Sequence, residues 1–72
     1  MDNVNDSKTV TLTRREKDVL RLIAKGYTTD QIAESLGICP ETVRGYRKQL
    51  HKKFKVNKAT ELTYKATELH II

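Results

Sequence analysis

The sequence has few of the residues that build a disulfide scaffold, a membrane span or an aromatic stacking surface. It contains one cysteine, Cys39, no tryptophan and 6% aromatic residues. A single cysteine excludes a disulfide within the chain and favours a reducing, intracellular setting. No apolar run exceeds a few residues, so we expect no membrane span, and the polar N-terminus does not resemble a signal peptide. One Phe and three Tyr also disfavour RNA binding by base stacking.

The sequence also lacks the residue constellations that catalysis and metal binding require. It has no paired nucleophile and base, no glycine-rich phosphate loop and no carboxylate pair in a plausible cleft. His51 and His70 have no partners at a metal-ligand spacing. A chain of 72 residues has room for one small domain and none for a second that carries a cofactor. We therefore predict that the protein is not an enzyme, and we expect no cofactor, no metal and no small-molecule ligand.

Acidic residues are missing from one long stretch, between Thr42 and Thr60. The whole chain has 14 Lys and Arg against 9 Asp and Glu, a formal net charge of +5. Half of these basic residues fall within the stretch: Arg44, Arg47, Lys48, Lys52, Lys53, Lys55 and Lys58. This concentration of cations favours a polyanionic partner. A merely solvated face stays the alternative for Lys52, Lys53 and Lys55.

Capping signals predict the starts of the first two helices. Thr13 with Glu16, and Thr28 with Gln31, fit the capping box, in which two residues three apart satisfy each other's backbone N–H groups. We expect Glu16 to act first as this capping partner, with an ion pair to a basic residue as a further role. Each helix is followed by a residue typical of helix ends: Gly26 and Gly37.

The second half of the chain predicts two more helices. Pro40 suits the first turn of a third helix, which extends to about Phe54. Asn57 is a plausible N-cap for a fourth helix, whose inward residues recur at helical spacing: Ala59, Leu62, Ala66 and Leu69. Because no segment shows the alternation of a strand, we predict an all-α fold of four helices.

The second and third helices have the pattern of a helix-turn-helix. Ala33 is small where two helices cross, Gly37 lets the chain leave the second helix, and Ile38 and Val43 fix the crossing. In such a unit the later helix enters the DNA major groove with its N-terminal half toward the base edges. The third helix is therefore the predicted recognition helix.

The third helix divides into an apolar face and a basic face. At 100° per residue, Val43, Leu50 and Phe54 share one side. Long cations lie away from that side, around Gly45. A glycine inside a helix costs about 1 kcal/mol relative to alanine, but it lets a bound molecule approach the backbone closely. We interpret Gly45 as a contact position; simple tolerance of glycine is the alternative.

The run LTRREKDVLRLIAKGYTTDQIAESLGICPETVRGYRKQLHKKFKV resembles the LuxR/NarL-type DNA-binding domain of bacterial transcription regulators. The resemblance covers roughly residues 12 to 69. It rests on separated elements: Leu12, Thr13, Arg15, Glu16, Val19, Leu20, Gly26, Ile32, Ala33, Leu36, Thr42, Val43, Arg44, Phe54 and Val56. The family implies a dimer on inverted-repeat DNA, with the third helix as recognition helix and the fourth as dimer contact.

The resemblance also implies which residues contact DNA. By position, the base contacts of the family fall on Arg44, Gly45 and Lys48. Its phosphate contacts fall on Thr28, Thr29, Thr42 and Tyr46, to which we add two cations of the third helix, Arg47 and Lys52. Four positions depart from the common family pattern and put the operator sequence in doubt: Thr29, Cys39, Gly45 and Tyr46.

The fourth helix carries a second set of residues apart from its inward stripe. Tyr64, Thr67 and Ile71 recur at i, i+3 and i+7, and we interpret them as a dimer interface. Scattered apolar surface residues, which are normal in proteins, are the alternative. Because the patch is small, we expect weak dimerisation without DNA.

These observations predict a sequence-specific regulator that binds double-stranded DNA as a homodimer in the bacterial cytoplasm, at the nucleoid. Residues 1–11 are expected to form a flexible segment, and residues 12–72 the DNA-binding domain. RNA polymerase is a further candidate partner. The alternative function is a protein-interaction module that docks on RNA polymerase or antagonises another regulator. A free-standing regulator and the effector domain of a larger protein are both compatible with the sequence.

Overall fold

The computed structural model describes residues 10–71, and these residues form four helices and no strand. The helices are α1 (Arg14–Ala24), α2 (Thr29–Leu36), α3 (Pro40–Phe54) and α4 (Ala59–Glu68). The predicted all-α helix-turn-helix fold is thereby confirmed. No helix in the described part of the chain is long and apolar enough to cross a membrane.

Both predicted capping boxes are present. The Thr13 hydroxyl accepts a hydrogen bond from the Glu16 N–H (3.2 Å), and the Glu16 carboxylate accepts one from the Thr13 N–H (2.9 Å). Thr28 and Gln31 make the equivalent pair of bonds at 3.2 and 2.9 Å. Each box satisfies N–H groups that a helix start would otherwise leave without partners.

The fourth helix begins one residue later than predicted. Its N-cap is Lys58, not Asn57. The Glu61 carboxylate accepts hydrogen bonds from the backbone N–H groups of both Asn57 (3.2 Å) and Lys58 (3.3 Å). The start of α4 is therefore fixed by an acidic residue within its first turn and not by the asparagine side chain.

A single core lies between the helices, and α3 packs against each of the other three. The residues buried in it are Val19, Leu20, Ile23, Ile32, Ala33, Val43, Leu50, Phe54, Leu62 and Ala66. The predicted apolar face of α3 is confirmed, since Val43 and Leu50 have no exposed surface and Phe54 has 3%. The helix-turn-helix turn is also as predicted: Gly37 is left-handed (φ 69°), a conformation that glycine adopts without the strain of a side chain.

The C-terminal end of the chain differs from the prediction at two residues. Leu69 ends α4 as its C-cap, and His70 takes a positive φ of 60°. The chain then turns back, so that the Ile71 N–H donates to the Ala66 carbonyl (2.9 Å) and the Ile71 side chain packs against the core. Ile71, predicted at the dimer interface, is a core-packing residue beyond the helix. Leu69 is half-buried and is not among the described residues that pack on this core.

The ordered domain begins earlier than residue 12. Val10 packs against the core, and the Thr11 carbonyl accepts a hydrogen bond from the Lys53 ammonium at 3.1 Å. Residues 10 and 11 therefore make contacts with the helices. The rest of the predicted N-terminal segment, residues 1–9, lies outside the described residues, as does residue 72.

Candidate nucleic-acid interface

The outer face of α3 carries the three residues predicted to contact bases. Arg44, Gly45 and Lys48 are all exposed, as is Lys52 one turn further on. Val43 and Leu50 hold the opposite face of the helix in the core with no exposed surface. These buried residues fix the rotation of α3 about its axis. The cations Arg44, Lys48 and Lys52 therefore point outward as one row, the cation row.

Gly45 has no structural reason to be glycine. A Cβ built at this position meets no atom within 4 Å, and its φ is that of an ordinary helical residue. Gly37 is different, since its positive φ disfavours any side chain. The missing side chain at Gly45 thus leaves a shallow gap in the row of cations, where another molecule can approach the backbone of α3.

One acidic side chain, that of Glu41, borders the row and was not among the predicted contact residues. Arg44 Nη1 donates to Glu41 Oε1 at 2.9 Å, and the two side chains are 61% and 86% exposed. The signal was present in the sequence, because Glu41 precedes Arg44 by three residues, the spacing of neighbours on a helix surface, and directly precedes the acid-free stretch.

The N-terminus of α2 presents the two threonines predicted to contact phosphate. The Thr28 hydroxyl oxygen accepts the Gln31 N–H, and its own hydrogen is still able to donate. Thr28 is exposed and Thr29 is half-buried. The first N–H groups of a helix attract anions because they point outward at the positive end of the helix dipole. Asp30 lies in the same first turn and weakens this attraction.

The remaining phosphate candidates of α3 lie in different surroundings. Thr42 and Lys52 are exposed. Tyr46 is half-buried and packs against the core, which leaves its hydroxyl as the group able to reach a phosphate. Arg47 is half-buried in a groove that it lines together with Tyr27 and Thr60. It lies about 100° around the helix from Lys48, so a contact between Arg47 and the same DNA backbone stays a prediction with less geometric support.

Lys53 faces away from the cation row. Its ammonium lies 2.8 Å from Glu16 Oε1, in an ion pair between α3 and α1. The sequence left two interpretations for Lys53, phosphate contact and solvated surface, and the structure gives a third. The expected ion pair of Glu16 with a basic residue is confirmed, and Lys53 holds the recognition helix against α1.

Two of the three predicted dimer residues lie on one exposed face of α4. Tyr64 is 66% exposed, and Thr67 is exposed one turn later. Thr60, which was not among the predicted dimer residues, is exposed one turn before Tyr64 on the same face. Tyr64 and Thr67 therefore stay predicted dimer contacts, whereas Ile71 packs against the core.

The described residues offer no metal centre. Among residues 10–71, no three His, Cys, Asp or Glu side chains lie close enough together to hold a metal ion. His51 Nδ1 is 2.8 Å from the Arg47 carbonyl oxygen within α3, so this ring has a partner inside its own helix.

Residues 10–66 match the family described as bacterial regulatory proteins, luxR family. Among curated relatives, the chain is 43% identical over 51 residues to a putative HTH-type transcriptional regulator of Aeromonas salmonicida. It is 33% identical over 61 residues to the response regulator UvrY of Escherichia coli. These alignments cover 71% and 85% of the chain but 26% and 28% of the relatives. The chain thus spans about a quarter of their length.

Solved structures of VqmA from Vibrio cholerae have the same fold. A complex of VqmA with ligand and DNA superposes with a TM-score of 0.82 at 35% identity, covering 88% of this chain and 28% of VqmA. A VqmA dimer without target DNA gives a TM-score of 0.83 at 32% identity, with 94% and 31% covered. Since the family match spans most of the chain, the predicted family is confirmed, and the matched segment is a regulatory domain and not an enzymatic one. The chain belongs to the luxR family of bacterial regulatory proteins.

Proposed function

We propose that this chain is the DNA-reading unit of a transcription regulator and binds double-stranded DNA sequence-specifically through α3. Arg44 and Lys48 donate hydrogen bonds to base edges in the major groove, where guanine O6 and N7 accept from such cations. Gly45 lets the helix backbone approach the bases. The observation that carries this proposal is the exposed basic face of α3, interrupted by a glycine that the fold itself does not require.

Phosphate contacts on both sides of the groove orient the helix. At the start of α2, Thr28 and Thr29 bind one phosphate through side chains and free N–H groups. On α3, Thr42, Tyr46 and Lys52 bind others. Such contacts set the position of the protein on DNA without distinguishing sequences. Their net effect is an affinity that falls steeply with salt, because bound cations release counterions from the DNA.

The chain acts as a homodimer on inverted-repeat sites in this proposal. Support comes from the exposed pair Tyr64 and Thr67 on α4, and from two structural relatives, a VqmA–DNA complex and a VqmA dimer. The exposed patch is small, so the two half-sites of DNA supply much of the energy that holds two copies together. The bacterial relatives support action at the nucleoid, in the cytoplasm.

The proposal extends to how DNA binding by the whole protein is controlled and to its further partners. Relatives extend well beyond the matched segment, as the 26–31% coverage indicates, so control by another domain and control by abundance are both compatible with this unit. Contact with RNA polymerase is a second step that would follow DNA binding. A protein-interaction module without DNA binding is the alternative.

In vitro selection from a random duplex pool tests the proposal. The expected result is enrichment of one sequence with two inverted half-sites, bound by two copies of the chain. Recovery of the pool without enrichment would contradict the proposal and favour the protein-interaction alternative. Repetition with Lys48→Ala is expected to relax the selected sequence at one position of each half-site.

A further inference from the structure

The acidic residue on the recognition helix is placed where it opposes DNA binding. At 100° per residue, Glu41 lies within about 20° of the lines of Lys48 and Lys52 on the surface of α3. Its side chain is 86% exposed, and it is the only acidic residue of this helix. A carboxylate on a face that meets phosphates weakens binding to every DNA sequence alike. A compensating role is therefore needed.

The compensating role follows from the hydrogen bond to Arg44. Arg44 Nη1 donates to Glu41 Oε1 at 2.9 Å. A guanidinium has five N–H donors in a planar fork, so one edge can bind the carboxylate while another edge faces a base. A free arginine would swing between bases and the nearest phosphates. Glu41 restricts that motion and leaves Arg44 directed outward from the first turns of α3.

We propose that Glu41 is a positioning residue for sequence recognition: it holds Arg44 in one orientation and so raises the discrimination between operator and other DNA, while it lowers affinity for DNA in general. The inference rests on the proposed function, because it assigns Arg44 to a base. Glu41 acts through Arg44 and does not itself contact a base.

A helix-stabilising role is the competing explanation for Glu41. It lies in the first turn of α3, and the N-cap, Cys39, makes no side-chain hydrogen bond there. An acidic residue at such a helix start interacts favourably with the helix dipole. Any acidic side chain at position 41 would serve that role, whereas the arginine contact depends on side-chain length.

The chain contains a comparison for that length, in which Asp18 also lies 3.9 Å from a second arginine, Arg15. Asp18 precedes Arg21 by three residues in α1, as Glu41 precedes Arg44 in α3. The closest atoms of the Asp18 pair are 3.9 Å apart, compared with 2.9 Å for the glutamate. We therefore expect Glu41→Asp to keep the charge at the helix start and to lose the hydrogen bond to Arg44.

The experiment measures Kd by fluorescence anisotropy for the selected operator, for that operator with the Arg44-contacted guanine replaced, and for a random duplex. The proteins are wild type, Glu41→Gln, Glu41→Asp, and Glu34→Gln as a control. Glu34 is exposed on α2, so its replacement makes the same change in net charge. Circular dichroism and thermal unfolding verify that each variant is folded under the conditions of the titration.

The two substitutions of Glu41 have different expected signatures. Both are expected to lower the ratio between operator and replaced-guanine affinities by about three- to tenfold. Of these two, only Glu41→Gln is expected to increase affinity for random duplex, by about twofold or more at low salt, because Glu41→Asp keeps the negative charge. Glu34→Gln is expected to leave the ratio unchanged. In an Arg44→Ala background, Glu41→Gln is expected to have no further effect on the ratio.

Three results would overturn the inference. Unchanged discrimination in both Glu41 variants would assign Glu41 to helix stability alone. A persistent effect of Glu41→Gln without Arg44 would mean that Glu41 contacts a base directly. A wild-type chain that binds operator and random duplex equally would overturn the proposed function, and this inference with it. The first two results concern only the Glu41 variants, so failure of the inference alone is distinguishable from failure of the proposed function.

Discussion

Lys53 and Glu16 form an ion pair of 2.8 Å that joins the recognition helix to the start of α1. The Glu16 side chain is only 7% exposed. Burial on its own raises the pKa of Glu16, but the hydrogen bond from Lys53, the hydrogen bonds with Thr13 and the positive charge of Lys53 together lower that pKa below its ordinary value of 4.5. Glu16 is therefore charged at neutral pH, and its charge stabilises the native fold.

The pair makes the stability of the fold depend on pH in a defined direction. A carboxyl whose pKa is lower in the folded than in the unfolded protein stabilises the fold at pH values above its pKa in the unfolded protein. This stabilisation is lost as pH falls through the pKa that the carboxyl has in the folded protein. We expect Glu16→Gln, which retains a capping oxygen, to cost about 1–3 kcal/mol at pH 7. Urea unfolding is expected to show this difference shrinking as pH falls below 4.5. A difference that stays constant with pH would contradict the assignment.

Two neighbouring lysines are expected to respond differently to replacement. Lys52→Gln is expected to weaken DNA binding and to reduce the slope of log K against log salt by about 1, because it removes a phosphate contact. Lys53→Gln is expected to lower the free energy of unfolding and to leave that slope unchanged. Salt titrations of binding, with denaturant unfolding of both variants, check the pair. Equal salt slopes for the two variants would refute the separation of roles.

Replacing Gly45 with alanine is expected to change stability and DNA binding in opposite directions. The added Cβ meets no atom within 4 Å, so the helix gains about 0.5–1 kcal/mol in free energy of unfolding. The same methyl group enters the gap through which α3 approaches the bases, and Kd for the operator is expected to rise. Thermal unfolding and operator titration measure the two effects. A more stable variant with unchanged Kd would mean that the glycine is merely tolerated.

Replacing Tyr64 and replacing Ile71, two residues of the predicted dimer interface, are expected to have different effects. Tyr64→Glu is expected to preserve thermal stability and to weaken binding to a two-half-site operator, because Tyr64 is 66% exposed. Ile71→Ala is expected to destabilise the fold, because Ile71 packs against the core. Analytical ultracentrifugation of the DNA complexes gives the stoichiometry. Two copies bound with unchanged affinity in the Tyr64 variant would exclude this face as the interface.

Lys48→Ala is expected to reduce operator affinity by about 1–3 kcal/mol and to reduce random-duplex affinity less. Lys48 is exposed, so the folded state is expected to be preserved. Competition binding with both duplexes measures the two losses together. An equal loss on both would assign Lys48 to a phosphate instead of a base.

Local signals in the sequence predicted most of the fold. The capping boxes at Thr13 and Thr28 depend on residues three apart, and the buried face of α3 on helical periodicity, so both were recognisable without the tertiary structure. The C-terminus was wrongly predicted, because periodicity continues formally through Leu69 to Ile71 although the helix ends at Glu68. Ile71 packs against the core there because the chain turns back at His70, and no side-chain pattern indicated this turn.

The candidate interface was predictable in its outline and less so in its details. The exposed positions on α3 were predictable from helical periodicity, because the opposite face of the helix is apolar. The partner of Lys53 is 37 residues away along the chain, so no local spacing could distinguish this lysine from Lys52. Glu41 was recognisable as a neighbour of Arg44, but its hydrogen bond depends on side-chain conformations that a sequence does not specify.

Sequence-specific DNA binding through α3 can be measured as the ratio of two dissociation constants. Kd is measured for the selected operator and for a scrambled duplex of the same length, at the same salt concentrations, with the wild-type chain. The operator is expected to bind about 10³-fold more tightly or better than the scrambled duplex, and both affinities are expected to fall with salt. Equal dissociation constants for the two duplexes at every salt concentration would contradict sequence-specific binding.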